Sequence, residues 1–290
     1  NMTQLAVIPA TGGTPRIVSA ALDRGVMGHE WTADSQALRF LVADDMSMYP
    51  ARVSVNGGAV ERLVGGKQVM MSMHSAGGCT TMMLATDKTT PDVHVLDGAT
   101  PRKLTGHNDA LLKEFTLGET EEVSYRTKDG NEAHGLLVKP VGYEKGKKYP
   151  MLLRIHGGPN AQDQHAFAYE RQLFAAHGYA VLAINYRGSS GRGQQYTVSI
   201  AKDWNNKEVI DLLAGVDHVV AMGIADPERL GVGGWSYGGI LTDALIASTT
   251  RFKAATSGAG VAFPLSFYGH DQYIRQYDNE ISPPWKGGLE

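Results

Sequence analysis

The sequence predicts an α/β fold over residues 119–290, preceded by an all-β region over residues 1–118. Three observations support this prediction. Short alternating segments between glycine-rich turns fill the first region, which is typical of β-strands. Apolar strand patterns alternate with helical patterns in the second region. One of those strand patterns leads through a glycine-rich turn at residues 234–238 directly into a helical pattern. We therefore expect two domains, with their boundary near residue 118.

The all-β region contains an internal repeat that predicts propeller blades. The segments at residues 12–18, 57–64 and 97–105 each combine glycines with a short strand pattern, at intervals of about 40 residues. That interval matches one four-stranded blade, and a small unrelated β-sandwich is the alternative. Because propellers close with about 4–8 blades, we expect the last blades of a longer propeller. The strands are expected at residues 16–18, 37–42, 52–55 and 93–96.

The second region predicts a parallel sheet covered by helices on both faces. A turn at residues 128–131 joins its first two strand patterns, at residues 123–126 and 134–138. Strands alternating with helices indicate parallel pairing, because each helix carries the chain back to the start of the next strand. Further strands are expected at residues 151–155, 180–184, 229–233 and 253–256, and helices at residues 163–177, 204–222 and 240–248.

A G-x-S-x-G pattern, typical of a nucleophile elbow, occurs at residues 234–238. It lies between the predicted strand 229–233 and the predicted helix 240–248, which is the context that such an elbow requires. The tight turn strains the serine backbone, so the residues two positions away must be glycine. We therefore predict Ser236 as a nucleophile at the carboxyl end of the sheet. An ordinary glycine-rich turn that binds a phosphate is the alternative.

A second motif, His-Gly-Gly-Pro at residues 156–159, directly follows the predicted strand 151–155. In α/β-hydrolases the loop after this strand donates a backbone N–H to the oxyanion hole, and the residue after the nucleophile donates another. That second donor is here the N–H of Tyr237. The alternative is that these glycines only allow a tight turn and form no part of an oxyanion hole. His156 is expected to hold the loop rather than to act as general base, because it precedes the serine in the chain.

Four motifs together resemble the prolyl oligopeptidase family of serine peptidases, especially its acylaminoacyl-peptidase and dipeptidyl-peptidase members. They are His-Gly-Gly-Pro at 156–159, Asn-Tyr-Arg-Gly-Ser-Ser-Gly at 185–191, Asp-Pro-Glu-Arg at 226–229 and Gly-Gly-Trp-Ser-Tyr-Gly-Gly at 233–239. The resemblance implies a β-propeller that gates access to an α/β-hydrolase domain, and cleavage of short peptides. It also implies Ser236 as the nucleophile, with the backbone N–H groups of Gly158 and Tyr237 as oxyanion donors.

The sequence departs from the family pattern after Ser236. The family places a catalytic aspartate and then a catalytic histidine on loops after the last strands of the sheet. Here the one histidine, His270, precedes both Asp271 and Asp278, and a surface loop is the expected role of this stretch. We therefore expect a truncated piece, without some propeller blades at one end and without the triad aspartate and histidine at the other. Such a piece is expected to be nearly inactive alone.

Two other functions remain open on the sequence. A carboxylesterase-type α/β-hydrolase acting on small esters uses the same chemistry, although such enzymes more often carry HGGG than HGGP and usually have no propeller. The other is a catalytically inert fragment that uses the partial propeller as a docking surface, which would explain why the triad aspartate and histidine are missing. Candidate neighbours of a substrate pocket are Tyr186, Arg187, Phe267 and Tyr268.

Composition argues against several other partners. The formal net charge is -3 and the basic residues are scattered, which gives no indication of nucleic-acid binding. No stretch approaches the roughly 18 apolar residues of a membrane span, and no signal peptide opens the sequence, so we expect a soluble cytoplasmic or periplasmic protein. The single cysteine, Cys79, excludes an internal disulfide and is expected to be at least half-buried. We expect a peptide substrate without a cofactor or metal, and leave oligomerisation open.

Overall fold

The structure, a computed structural model, describes residues 2–270 and 272–287. Contacts between residues divide the chain into two compact units. The first unit runs to Thr116 and includes two later segments, Gln164–Tyr169 and Ser190–Gln194. The second unit begins at Leu117 and holds the rest of the chain. The chain therefore returns twice to the first unit from within the region that the sequence assigns to the α/β part.

The first unit is built from antiparallel strands that follow one another in sequence. Its strands are β1 (Ala6–Val7), β2 (Arg16–Ile17), β3 (Gly25–Trp31), β4 (Ala37–Asp44), β5 (Ser47–Ser54), β6 (Glu61–Arg62), β7 (Val69–Ala76), β8 (Cys79–Thr86), β9 (Thr89–Asp97) and β10 (Thr100–Lys103). Strands β3 to β6 form one antiparallel group and β7 to β10 a second. The two groups meet where Met48 pairs in parallel with Val69. This is the arrangement expected of successive four-stranded blades.

The repeated glycine segments mark the last strand of each antiparallel group. Gly13, Gly58 and Gly98 have φ angles of 128°, 107° and 64°, a backbone region that strains residues with side chains. Strands β2, β6 and β10 begin shortly after these glycines, and each pairs antiparallel with the strand before it. The repeat in the sequence therefore corresponds to a repeated turn and outer strand.

Strand β4 is buried on both faces. Phe40 and Val42, both with no exposed surface, pack into one apolar cluster, whereas Leu41 between them packs into another. Successive side chains of a strand point to opposite faces, so the two clusters lie on the two sides of this strand. Such burial explains why its sequence is a nearly continuous apolar run rather than an alternating one.

Cys79 is exposed, so the prediction that it is at least half-buried is wrong. It begins β8 directly after a two-residue turn, Gly77 and Gly78, and lies opposite Ala76. Residues at the tip of a hairpin have few neighbours to cover them, whatever their hydrophobicity.

The second unit is built on a mixed six-stranded sheet. Its strands are β11 (Thr120–Arg126), β12 (Glu132–Val138), β13 (Tyr149–Ile155), β14 (Ala180–Asn185), β15 (Ala225–Trp235) and β16 (Phe252–Gly258), in the order β11-β12-β14-β13-β15-β16. The last four strands of this order pair in parallel, as predicted. Strands β11 and β12 pair antiparallel, as expected of two strands joined by the predicted short turn at residues 128–131, and β12 also pairs antiparallel with β14. The hydrogen bond from the Thr127 N–H to the Asn131 carbonyl, 2.8 Å long, closes a turn too short for a parallel crossover.

Helices cover this sheet on both faces. They are α2 (Tyr169–Ala176), α3 (Gln194–Val198), α4 (Lys207–Ala221), α5 (Tyr237–Ser248) and α6 (Ile274–Glu280), after a short α1 (Asp109–Leu112) in the first unit. Val181 of β14 packs with Ala175 of α2, whereas Leu182 and Ile184 belong to the cluster that contains Leu212 of α4. Because neighbouring side chains on a strand point to opposite faces, α2 and α4 lie on opposite sides of the sheet.

The predicted helix at residues 163–177 begins too early. The N–H of Asp163 donates to the side-chain oxygen of Asn185 at 2.7 Å, and the N–H of His165 donates to the carbonyl of Met46 at 2.8 Å. These contacts accompany a non-helical conformation at residues 161–168, and the helix starts only at Tyr169. Its end was predicted well, since Gly178 follows with a φ of 83°.

A buried ion pair fixes the loop after β14 to helix α4. The Arg187 guanidinium contacts Asp211 with Nε–Oδ2 and Nη2–Oδ1 distances of 3.0 and 2.8 Å, and its Nη1 lies 2.7 Å from Asp129. The backbone N–H of Arg187 also donates to Asp211, at 2.8 Å. Asp211 has no exposed surface and Arg187 is 8% exposed, so neither charge has water as an alternative partner.

Replacing Asp211 by alanine is expected to lower the free energy of unfolding by about 3–5 kcal/mol, because it removes the fully buried partner of Arg187 and leaves only the partly exposed Asp129 to compensate this charge. Asp226→Ala removes an exposed pair with Arg229 of similar length, 2.7 Å, and should cost at most about 1 kcal/mol. Urea unfolding of both variants and the wild type measures the difference. Equal losses in the two variants would contradict the structural role given to Arg187 and Asp211.

Candidate active site

Ser236 lies at the junction between strand β15 and helix α5, in a strained backbone conformation. Its φ and ψ are 57° and −120°, a region that residues with side chains rarely adopt. A Cβ on Gly238 would overlap the carbonyl oxygen of Ile155, and a Cβ on Gly234 would overlap the carbonyl oxygen of Gly238. The expectation that residues two positions from the serine must be glycine therefore has a direct steric cause in this fold.

The backbone N–H and carbonyl groups of Ser236 both form hydrogen bonds, whereas its hydroxyl forms none with the described residues. Its N–H donates to the carbonyl of Gly258 at 2.9 Å, and its carbonyl accepts the N–H groups of Gly239 and Ile240 at 2.8 and 3.1 Å. Ser236 is exposed, and its hydroxyl makes no hydrogen bond with any described residue. The elbow thus presents an unengaged hydroxyl on a rigid backbone.

The loop at residues 156–159 lies directly against the serine. A Cβ added at Gly157 would be 2.9 Å from the carbonyl oxygen of Trp235 and 3.3 Å from the Cβ of Ser236. Gly158 follows with a φ of 132° and precedes a cis peptide bond to Pro159. The absence of side chains at these glycines is what allows the loop to approach the elbow so closely.

The two backbone N–H groups predicted as oxyanion donors have no protein acceptor. Among residues 2–270 and 272–287, no hydrogen bond uses the N–H of Gly158 or of Tyr237. Tyr237 is the first residue of α5, so its N–H is one of those that a helix leaves unsatisfied. Both groups can therefore donate to a bound atom, and their role as oxyanion donors remains a prediction.

The ring of His156 contacts Tyr186 and Ser189 and makes no hydrogen bond with Ser236. Its ring stacks on Tyr186, with centroids 4.5 Å apart and an interplanar angle of 15°. Its Nε2 lies 3.0 Å from the Oγ of Ser189, and the Tyr186 hydroxyl donates to the His156 carbonyl at 2.8 Å. These contacts fit the predicted role of His156 in holding the loop.

Tyr186 and Arg187 do not border an open pocket, contrary to the suggestion from the sequence. Tyr186 has no exposed surface, and Arg187 is held in the ion pair with Asp211. Phe267 is 38% exposed, and the hydroxyl of Tyr268 donates to Asp278 at 2.6 Å. The first two residues support the site from within, whereas Phe267 remains a candidate contact for a substrate.

His270 does not complete a catalytic triad with Ser236. It is exposed on a turn, where its N–H donates to the carbonyl of Phe267 at 3.0 Å, in agreement with the predicted surface loop. Asp271 lies outside the described residues. Since the Ser236 hydroxyl has no hydrogen-bond partner in the described part of the chain, no histidine there is placed as its base.

The sequence analysis did not identify Glu208, a buried acid directly behind the elbow. The Tyr237 side chain, 3% exposed, donates its hydroxyl to Glu208 Oε1 at 2.5 Å. Glu208 has no exposed surface, and its Oε2 has no hydrogen-bond partner in the described structure. A signal was present in the sequence: Glu208 precedes Leu212 and Val216 at a spacing of four, on the apolar stripe of α4.

Burial raises the pKa of Glu208 to about 7, although its hydrogen bond with Tyr237 acts in the opposite direction. The nearby Asp203 raises it further, and no cation among the described residues forms an ion pair with it. Burial and the same contact also raise the pKa of the Tyr237 hydroxyl, which therefore remains the donor. The neutral acid is therefore the more stable form of Glu208 up to about neutral pH.

The described residues contain no group of three or more histidine, cysteine or acidic side chains arranged to hold a metal ion. Within that same part of the chain, no helix combines the length and the apolar character needed to cross a membrane.

A model of the prolyl oligopeptidase family matches residues 165–288. The chain is 40% identical to the uncharacterized peptidase YuxL of Bacillus subtilis over 173 residues, which cover 59% of this chain and 26% of that protein. It is 28% identical to dipeptidyl-peptidase 5 of Porphyromonas gingivalis over 270 residues, covering 90% of this chain and 39% of the relative. The chain thus spans well under half the length of the curated relatives it matches.

The fold is shared with solved structures. Acylaminoacyl peptidase of Pyrococcus horikoshii superposes with a TM-score of 0.84 at 24% identity, over 93% of this chain and 43% of that one. An acylaminoacyl peptidase in complex with Z-Gly-Gly-Phe-chloromethyl ketone gives a TM-score of 0.85 at 25% identity, with the same coverage. The predicted α/β-hydrolase fold with a preceding propeller-type all-β region is therefore confirmed.

The raised pKa of Glu208 predicts a stability difference that depends on pH. Between its ordinary pKa of 4.5 and about 7, the folded protein binds a proton that the unfolded chain releases, so stability falls as pH rises through this range. Glu208→Gln removes this ionisation. Relative to the wild type, the variant should gain about 2–3 kcal/mol between about pH 5 and about pH 8.

Urea unfolding at both pH values measures this gain. Glu228→Gln is the control, because Glu228 is 82% exposed in its side chain and should show no comparable change. A Glu208→Gln variant that differs from the wild type equally at both pH values would show that Glu208 ionises normally.

Proposed function

We propose that the protein is a serine peptidase of the prolyl oligopeptidase family, whose model matches residues 165–288, and that it hydrolyses short peptides through an acyl-enzyme on Ser236. The observation that carries the proposal is the elbow itself. A serine hydroxyl without a hydrogen-bond partner among the described residues stands on a strained backbone against the loop at residues 156–159, and the N–H groups of Gly158 and Tyr237 have no acceptor in that part of the chain.

The proposed reaction begins with attack of the Ser236 Oγ on the carbonyl carbon of the substrate. The hydroxyl proton passes to a general base, and the carbonyl oxygen becomes an oxyanion that accepts the N–H groups of Gly158 and Tyr237. Collapse of this intermediate breaks the C–N bond, and the amine leaves with the proton from the base. Water then attacks the acyl-enzyme with the help of the same base, which releases the acid and restores the Ser236 hydroxyl.

The general base is proposed to be a histidine that these 290 residues do not supply, oriented by an acidic residue. Without such a base a serine hydroxyl is a weak nucleophile. The chain of 290 residues by itself is therefore expected to react slowly, and the full-length protein rapidly.

The proposed substrates are short peptides rather than simple esters. The relatives are named peptidases, dipeptidyl-peptidases and an acylamino-acid-releasing enzyme, and this chain has a propeller-type all-β region, which carboxylesterases usually lack. Two chromogenic substrates distinguish the subclasses. An N-acylated amino acid p-nitroanilide tests release of acylamino acids, and a dipeptide p-nitroanilide with a free amino group tests dipeptidyl-peptidase activity.

Labelling with a fluorophosphonate tests the nucleophile. Intact mass is recorded before and after exposure of the full-length protein and of the 290-residue chain. We expect one adduct on Ser236 in the full-length protein, a much slower reaction in the chain alone, and no adduct in Ser236→Ala.

Peptide hydrolysis that persists in Ser236→Ala, or an adduct on another residue, would refute the proposal. Rapid hydrolysis of p-nitrophenyl esters without any cleavage of the p-nitroanilides would favour an esterase instead. Gly65→Ala, a change in the first unit with open space around it, is a control for general effects of substitution.

A further inference from the structure

We propose that Glu208 is a positioning residue for the oxyanion hole: its hydrogen bond holds the Tyr237 side chain from behind, and thereby aims the Tyr237 N–H at the substrate. This inference rests on the proposed function of Ser236. It concerns a side chain that lies on a different helix from the serine and does not contact the substrate.

The geometry links Glu208 to the elbow through a single side chain. Tyr237 follows Ser236 directly, so any rotation of its backbone moves both the nucleophile and the predicted donor. Its ring is buried and packs edge-on against Trp204, with centroids 4.9 Å apart, and its hydroxyl ends on Glu208 Oε1. The hydrogen bond to Glu208 is therefore the polar anchor of the residue that carries the N–H.

The anchor itself belongs to a rigid element. Glu208 lies in the first turn of α4, whose residues Leu212, Val216 and Val219 are completely buried against the sheet. The N–H of Asn205 also approaches Glu208 Oε1, at 3.4 Å. Glu208 thus connects the elbow to the most firmly packed helix of the second unit.

The surroundings of Glu208 favour the neutral acid. Asp203 lies near it in the segment before α4, Tyr186 after β14 and Tyr237 on α5 are buried phenols, and Glu280 on α6 acts on Tyr237. Each of these groups is acidic, so none compensates a negative charge. The Glu208 Oε2 also lacks a donor in the described structure, which an ionised carboxylate would require.

The charge of Glu208 matters because an oxyanion forms on the other side of Tyr237. A neutral acid accepts the phenol hydrogen bond without placing a negative charge behind the oxyanion hole. An ionised carboxylate at that position would repel the developing oxyanion through a poorly solvated interior. Ionisation of Glu208 should therefore slow acylation without weakening binding of the substrate.

Steady-state kinetics of the full-length protein on its best p-nitroanilide test the anchor. Tyr237→Phe removes only the hydroxyl and should lower kcat about tenfold, with KM unchanged within about twofold, because the N–H contact forms only in the transition state. Glu208→Ala should give a similar loss, and the double variant should lose little more than either single one, because both act through one hydrogen bond.

Tyr125→Phe is the matched control. The Tyr125 hydroxyl is also buried and donates to a group on α4, the carbonyl of Asp211, at 2.9 Å, but the residue is not part of the site. It should lose stability and retain the kcat of the wild type. If Glu208→Ala does not fold, Tyr237→Phe and Glu208→Gln still test the proposal.

The pH dependence tests the neutral form. Glutamine keeps an acceptor for Tyr237 and cannot ionise, so the ratio of kcat for Glu208→Gln to that of the wild type should rise about 3- to 10-fold as the pH increases through about 7. Titration of the general base is common to both proteins and cancels in this ratio. An infrared band of a protonated carboxyl group, present at neutral pH in the wild type and absent from Glu208→Gln, is a second readout.

The outcomes separate the two proposals. If Ser236 is labelled and required but Tyr237→Phe and Glu208→Gln retain the kcat of the wild type at every pH, the positioning role is wrong and the nucleophile stands. If Tyr125→Phe loses as much kcat as Tyr237→Phe, the effect is structural and the positioning role is again wrong. If Ser236→Ala remains active, or the wild type hydrolyses no peptide, both proposals fail.

Discussion

The close approach of backbone to backbone beneath Ser236 is the constraint on which the rest of the site depends. Strand β13, its following loop and the β15–α5 junction meet with no space for a Cβ at Gly234 or Gly238, and little at Gly157. This contact places the serine, the glycine loop and the first N–H groups of α5 within one small region. A side chain at any of these glycines would force the segments apart, and the site would lose the geometry that makes it a candidate for catalysis.

Helix α4 supports this region through two buried acids one turn apart, and they are compensated differently. Asp211 receives a guanidinium and a backbone N–H, both from Arg187, so its charge is matched and its function is to hold a loop. Among the described residues, Glu208 receives a hydrogen bond from the neutral hydroxyl of Tyr237 and forms no ion pair with a cation. A matched buried charge locks structure, whereas an unmatched buried acid remains sensitive to protonation. The same helix therefore provides both an ion pair that fixes a loop and a carboxyl group whose ionisation can change near neutral pH.

Local sequence rules predicted the elements of the second unit well where the pattern was strong. The strand at Ala180–Asn185 is a continuous apolar run, and the elbow at Ser236 has glycines at fixed offsets, so both could be recognised from a few residues. The rules failed where long-range contacts compete with local preference. The helix at Tyr169–Ala176 starts late because the preceding residues form a non-helical connection that is hydrogen-bonded to distant segments, and Cys79 is exposed because a hairpin turn leaves it uncovered.

The sequence by itself determined the fold class, the repeated turns of the all-β region and the position of the strained serine turn, because each depends on residues adjacent in the chain and on the absence of side chains at particular glycines. Only the tertiary structure decided which distant groups meet at the site. Glu208 reaches Tyr237 across 29 positions of sequence, and Gly157 meets Ser236 across a still longer separation. Such contacts follow from strand order and helix packing, and the burial that gives Glu208 its raised pKa exists only once those elements are assembled.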